Sequence, residues 1–222
     1  MSDGITVKDL FDLSHTLAEK LLQGCQYPWE ALPHIGEWIE RLIEELPEGE
    51  YRSEGHGVFI HKTARVYASA LINGPCIIGP DAEVRHCAFI RGNALVGEGA
   101  VVGNSTELKN VILFDRVQVP HYNYVGDSIL GYRSHMGAGA ITSNVKSDKT
   151  NVTVAAGGER LATGLKKFGA VLGDNVEVGC GSVLNPGTVV GKNSNIYPLS
   201  MVRGVVPAGS IYKRQGEVVE KR

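Results

Sequence analysis

From residue 60 onward, aliphatic side chains recur at every sixth position: Ile60, Val66, Ile72, Ile78, Val84, Ile90, Val96, Val102 and Leu108. Four residues after each of the first eight stands a small side chain, namely Ala64, Ala70, Cys76, Ala82, Ala88, Ala94, Ala100 and Thr106. A helix repeats near 3.6 residues and a half-buried strand every two, so neither explains a period of six. A hexapeptide period marks a parallel β-helix. The spacing predicts a mainly β, left-handed parallel β-helix in which three hexads, about 18 residues, close one triangular coil. The aliphatic residue fills the prism, and the small one lets the chain turn a corner. Left-handed crossovers are rare in other β folds; a repeat sustained this long overrides that preference.

The register slips by one residue at Leu113, runs on through Val119 and Val125, slips again at Leu130 and reaches Met136. Residues 144–170 leave the pattern, and within them VTVAAGGERLAT reads as a β-hairpin turning on Gly157-Gly158. The hexads return at Leu172, Val178, Leu184, Val190, Ile196 and Val202, with Ser182, Thr188, Ser194 and Ser200 at corner positions. Ahead of the repeat, Thr6–Asp9 has the form of a capping box, and Leu10, Leu13, Leu17 and Leu21 follow at helical spacing. A second stripe, Ile35, Ile39, Leu42, Ile43 and Leu46, stops at Pro47. The expected organisation is an α-helical hairpin in residues 1–50, a β-helix in 57–212, and an inserted loop at 144–170.

Composition narrows the classes of function. Lys and Arg number 22 against 24 Asp and Glu, so no global charge argues for nucleic acid or an anionic membrane surface. No apolar run approaches the ~20 residues of a membrane span, and MSDGITVKDL lacks a signal-peptide core. The four scattered cysteines fit reduced thiols better than disulfides or a zinc site. A cytoplasmic protein is the expectation.

Candidate chemistry gathers in the middle of the repeat. Arg91 and Lys109 each follow a prism residue and stand 18 apart, so they stack on successive coils. Two stacked cations repel unless an anion lies beside them, and a phosphate is a natural one. His121, in QVPHYNYVGDS, stacks between Asn104 and Ala138 once the slip is allowed for, one prism face from Lys109. A lone histidine on a solenoid is usually a surface residue. Here Glu107, Tyr124 and Asn144 add polar groups nearby, and an irregular loop on a regular scaffold is a common carrier of function.

The run STELKNVILFDRVQVPHYNYVGDSILGYRSHMGAGAITSNVKSD at 105–148, with its PHxNYxGD and GAGxITxN motifs, resembles the acetyltransferase domain of bifunctional UDP-N-acetylglucosamine pyrophosphorylase/glucosamine-1-phosphate N-acetyltransferases. It is most similar to the archaeal-type sugar-1-phosphate nucleotidylyltransferase/acetyltransferases. TGLKKFGAVLGDNVEVG at 163–179 is similar to the same branch, and the resemblance spans about residues 57–210. It implies a homotrimer with acetyl-CoA bound between subunits and no metal. It further implies that His121 is the general base supported by Glu107, and that Arg91, Lys109 and Tyr124 bind a phosphorylated amino sugar. Ala138 and Asn144 match positions contacting acetyl-CoA or the amino sugar.

Three positions depart from the pattern. His135 replaces an asparagine in the acceptor region, Val145 a tyrosine after the motif asparagine, and Cys180 a serine near the thioester oxygen. His135 is therefore expected on the substrate, and Val145 and Cys180 on the cofactor. The Gly-rich nucleotide loop of the pyrophosphorylase half is not found in residues 1–56, so no nucleotidyl transfer is expected. Other acceptors, such as another amino sugar or a nucleotide-linked one, stay open, as does a non-catalytic scaffold. A γ-class carbonic anhydrase would need three zinc histidines. His86 and His121 lie on comparable faces, but the downstream histidine pair is missing.

Overall fold

The computed structural model describes residues 4–221. From Val58 to Tyr212 the chain winds as a left-handed parallel β-helix of short strands, as its period predicts. Ile60 pairs with Ile78 and Ile78 with Val96, while Val66 pairs with Val84 and Ile72 with Ile90, each step spanning 18 residues. The prism residues Ile78, Val84, Ile90, Val96, Val102 and Leu108 are fully buried. Each such side chain contributes roughly 1.5–3 kcal/mol by leaving water. The corner residues Ala82, Ala88, Ala94, Ala100 and Thr106 are buried as well, leaving no room for anything larger.

The slips also appear where the spacing places them. Val96 lies opposite Leu113, Leu113 opposite Leu130, and Val102 opposite Val119, each step now spanning 17 residues. The insertion is excised cleanly, because Leu130 pairs directly with Leu172 and Met136 with Val178. Its two ends meet where Phe168 N donates to Asn144 O at 3.0 Å. Inside it, Thr153–Ala156 and Glu159–Ala162 form the expected antiparallel hairpin, with Gly157 and Gly158 at φ 57° and 83°. Antiparallel strands close both ends of the solenoid, Tyr51–Gly55 against Val58–His61 and Glu217–Glu220 against Ser210–Arg214.

The N-terminal segment departs from the expected helical hairpin. The capping box forms, but the helix ends at Leu10 because Phe11 turns extended (φ −136°, ψ 145°). Asp12 then caps a short 3₁₀ turn, Leu13–His15, and a second helix runs only over Glu19–Gln23. Leu17 stays exposed. A 3₁₀ stretch containing Pro33 leads into the longest helix, Ile35–Glu45. The result is a broken strap laid along the side of the solenoid rather than two antiparallel helices. Side chains that fit the solenoid override the local helical spacing. Phe11 packs on Phe114 with ring centroids 4.8 Å apart, and buried Trp29 lies 5.8 Å from Phe168.

Ile35, Ile39 and Leu42 bury the face of the long helix against strands 76–78, 94–96 and 107–113. Gly36 permits that approach, since a Cβ there would lie 2.7 Å from Asn93 Oδ1. A buried carboxylate pins the strap's other end. Asp174 accepts from Asp12 N (2.7 Å), Tyr132 N (2.9 Å) and Lys192 Nζ (3.2 Å), and burial still pushes its carboxyl above the ordinary range.

Candidate active site

The motif PHYNY is a corner built to display two side chains. Buried Pro120 lies against Gly103 of the preceding coil, where a Cβ would meet the Pro120 carbonyl at 1.6 Å, so only glycine fits. Tyr122 makes the turn in the left-handed region (φ 52°). Asn123 points inward and is buried: its Oδ1 accepts from His121 N at 3.1 Å, and its Nδ2 donates to the carbonyls of Gly137 and Ala140, both at 2.9 Å. That anchor fixes the backbone on both sides of the turn, with His121 exposed on one side and Tyr124 half-buried on the other. His121 pairs with Asn104 of the coil before, as its register predicts, and its carbonyl accepts from Gly139 N of the coil after.

Tyr124 lies down over a glycine. A Cβ on Gly126 would stand 2.6 Å from the Tyr124 hydroxyl and 2.9 Å from Asn144 Nδ2, so Gly126 creates the space in which those groups meet. Asn144 Nδ2 donates to Tyr124 Oη at 3.2 Å and to Asp127 Oδ2 at 2.6 Å. Burial holds the Tyr124 phenol above its ordinary pKa, an effect that the Asn144 hydrogen bond opposes.

Arg91 and Lys109 stack on successive coils, and the anion beside each is a carboxylate of the chain itself. Arg91 Nη1 donates to Glu107 Oε1 at 2.8 Å, which raises the guanidinium's pKa further. Lys109 Nζ donates to Asp127 Oδ1 at 2.7 Å. The sequence assigns Glu107 to the imidazole of His121; the structure gives that carboxylate Arg91 instead. Glu107 and Tyr124 are direct cross-strand neighbours, so the basic pair and the PHYNY corner share one edge of the prism.

The remaining expected residues divide between two faces. Asn144 joins Tyr124 and Lys109 through Asp127. His135 does not join them. It lies one strand before Ala138, where its Nδ1 meets Glu177 Oε2 at 2.8 Å. With Gly137, Gly179, Cys180 and Tyr197 it lines an open groove of about 530 Å³. His135 thus shares a groove with exposed Cys180, expected on the cofactor, rather than with the basic pair expected on the acceptor. Ala138 follows the groove residue Gly137 in the chain, and its carbonyl accepts from Gly181 N. Val145 lines a separate, smaller hollow of about 290 Å³ with Asn185 and Arg203. The larger hollow of about 570 Å³ sits at the N-terminal end of the solenoid, among Val58, Ile60 and Val66, and holds none of the expected site residues.

Asp127 and Asn110 escape a reading based on prism positions and outward neighbours. Both adopt left-handed backbone (φ 48° and 55°), which Asn and Asp tolerate better than most residues. The signal available in the sequence was the Gly-Asp of the motif, an acidic residue held next to a stacked basic pair. Among the described residues no group of three His, Cys, Asp or Glu side chains is placed to hold a metal ion. No described helix is long and apolar enough to cross a membrane.

A family model described as the GMPPB C-terminal domain matches residues 72–196, more than half of the chain. The chain is 38% identical over 136 residues to a bifunctional protein GlmU of Methanococcus vannielii, covering 61% of this chain and 33% of that protein. With the GlmU of Methanococcus maripaludis strain C5 it shares 32% identity over 200 residues, covering 88% and 48%. With a bifunctional sugar-1-phosphate nucleotidylyltransferase/acetyltransferase of Sulfurisphaera tokodaii it shares 31% over 174 residues, covering 70% and 43%. The chain spans between a third and a half of the length of these relatives.

Proposed function

We propose, for a chain that belongs to the GMPPB C-terminal domain family and is a hexapeptide-repeat acetyltransferase domain related to the GlmU-type bifunctional enzymes, that it moves the acetyl group of acetyl-CoA onto the amine of an amino-sugar 1-phosphate. The observation that carries this reading is the shared prism edge. On it a corner anchored by Asn123 presents His121 and Tyr124 beside the stacked Arg91 and Lys109.

Acetyl transfer makes two demands on such a site. The attacking amine must lose a proton, and a neutral imidazole titrating near pH 7 is suited to take it. The tetrahedral oxyanion needs donors already in place. In the proposed reaction His121 is the general base. Arg91 and Lys109 bind the phosphate, Arg91 exchanging part of its bond to Glu107 for it while Lys109 stays held by Asp127, and Tyr124 orients the sugar ring. Asn144, fixed at the mouth of the insertion, holds the amide or the thioester. Acetyl-CoA runs past Ala138 into the groove lined by His135 and Cys180, with Val145 beside its acyl end.

Support for a trimer with sites between subunits comes from the apolar surface along the same edge. Tyr122 is 65% and Leu199 85% exposed, and Tyr197 and Met201, on either side of Leu199 in the chain, are exposed as well. Leu199 N bonds to Cys180 O, so it continues the corner on which Ala138 and Cys180 lie. Exposed apolar side chains gathered at one corner, as Tyr197, Leu199 and Met201 are, mark a surface for a protein contact.

The test is release of CoA thiol with acetyl-CoA and a panel of amino sugars, their 1-phosphates and nucleotide-linked amino sugars. Preference for a 1-phosphate is the expected result. Preference for a nucleotide-linked sugar would reassign the acceptor, and no turnover with any of them would leave a scaffold.

A further inference from the structure

Asp127 is 4% exposed and receives three side-chain donors. Its Oδ1 accepts from Lys109 Nζ at 2.7 Å and from Asn110 Nδ2 at 3.1 Å, and its Oδ2 accepts from Asn144 Nδ2 at 2.6 Å. Its own carbonyl accepts from Gly169 N at 2.8 Å, at the closing end of the insertion. One buried carboxylate thus fixes two groups that the proposed reaction places on different parts of its reactants, the phosphate-binding Lys109 and the insertion residue Asn144.

The other ligand of this carboxylate leads away from the site. Asn93, Asn110 and Asp127 share one corner, each in left-handed backbone. Their side chains form a ladder, Asn93 Nδ2 to Asn110 Oδ1 at 3.4 Å and Asn110 Nδ2 to Asp127 Oδ1. The N-terminal strap covers that ladder: Gly36 packs on Asn93, and Asn110 Nδ2 also donates to Leu32 O at 3.1 Å. A buried ion pair stays in place only when its remaining lone pairs are satisfied. Here Asn110, itself held by Leu32, satisfies one of them.

We infer that Asp127 is a positioning residue for acetyl transfer, which sets Lys109 and Asn144 relative to each other and is itself held by the N-terminal strap through Asn110. The inference rests on the proposed acetyl transfer to a phosphorylated amino sugar. Asparagine is a poor substitute, because it removes the charge that pairs with Lys109 and sets an N–H group against one of three partners that now donate. The strap is therefore part of the acceptor pocket's scaffold and not only a cover for apolar surface.

The experiment measures steady-state CoA release with glucosamine-1-phosphate for Asp127→Asn, Lys109→Ala and the double variant, alongside Asn110→Gly. The glycine keeps the left-handed backbone and removes only the side chain. Asp127→Asn is expected to raise the acceptor KM by about tenfold and to lower kcat, with the KM for acetyl-CoA unchanged. In the Lys109→Ala background its effect on the acceptor KM should vanish, which a general loss of stability would not produce. Asn110→Gly should raise the acceptor KM by about threefold. If Asp127→Asn does not fold, Asn110→Gly decides the matter. An unchanged acceptor KM in Asn110→Gly, or equal effects of Asp127→Asn with and without Lys109, overturns the inference and leaves acetyl transfer standing. No turnover by the unmodified chain removes the reaction and the inference together.

Discussion

Arg91 holds Glu107 by a hydrogen bond of 2.8 Å from Nη1 to Oε1, on the edge of the prism where Tyr124 is displayed. With Lys109 bonded to Asp127, the two stacked cations are neutralised before any ligand arrives. A phosphate must therefore compete with a carboxylate for Arg91. Both partners are substantially exposed, so water and salt screen the pair and a phosphate can displace it. Glu107→Gln is expected to lower the KM for a phosphorylated acceptor by up to about fivefold, an effect that fades with added salt. A loss of kcat at unchanged KM would return Glu107 to the support of His121.

Asn123 carries the corner. Replacing it with alanine leaves the Ala140 carbonyl without its side-chain donor, strips the Gly137 carbonyl of one of two donors, the Ala140 N–H remaining, and frees the backbone of His121. A cost of about 2–3 kcal/mol is expected, or roughly 5–10 °C in Tm for a chain of this size. Differential scanning calorimetry measures it, and a shift below about 2 °C would show that the corner holds without its anchor.

Leu199 projects from the edge that the proposed trimer buries. Leu199→Glu would place a charge in that contact, and light scattering should find monomers in place of trimers, with CoA release falling in step. The variant should melt as a folded chain, since Leu199 lies outside the prism and is exposed within the subunit. An unchanged oligomeric state would move the subunit contact elsewhere.

The Tyr124 phenol is held above its ordinary pKa by burial, so its neutral form is the one the fold favours. A raised pKa gives a contribution that is present below the ordinary value near 10 and lost as pH rises through the higher folded value. Tyr124 should therefore remain a hydrogen-bonding hydroxyl throughout the working range. The alkaline limb of the pH–rate profile should be unchanged in Tyr124→Phe, while the rate falls overall. Disappearance of that limb in the variant would assign the titration to Tyr124.

The solenoid was legible because its period is set by one geometric requirement, an aliphatic residue in the prism at every face. Even the slips at Leu113 and Leu130 show as missing residues in that count, and the coils absorb them without losing a pair. The strap was not legible in the same way. Leu10, Leu13, Leu17 and Leu21 carry a helical spacing, yet Phe11 and Trp29 find better partners in Phe114 and Phe168 than a continuous helix would allow. Register placed His121 beside Asn104 and stacked Arg91 on Lys109, but it says nothing about which way a side chain bends. Glu107 turned to Arg91, His135 to Glu177, and Asp127 toward Lys109 and Asn144. Those choices depend on side-chain packing across coils, which a one-dimensional period does not encode.

The most direct measurement is the rate of CoA release from acetyl-CoA and glucosamine-1-phosphate by the unmodified chain and by His121→Ala. Turnover by the former is expected, with a loss of roughly 10²–10⁴-fold in kcat by the latter at unchanged melting temperature and oligomeric state. Equal turnover by the two would contradict the assignment of the base and, with it, the reading of the PHYNY corner as an active site.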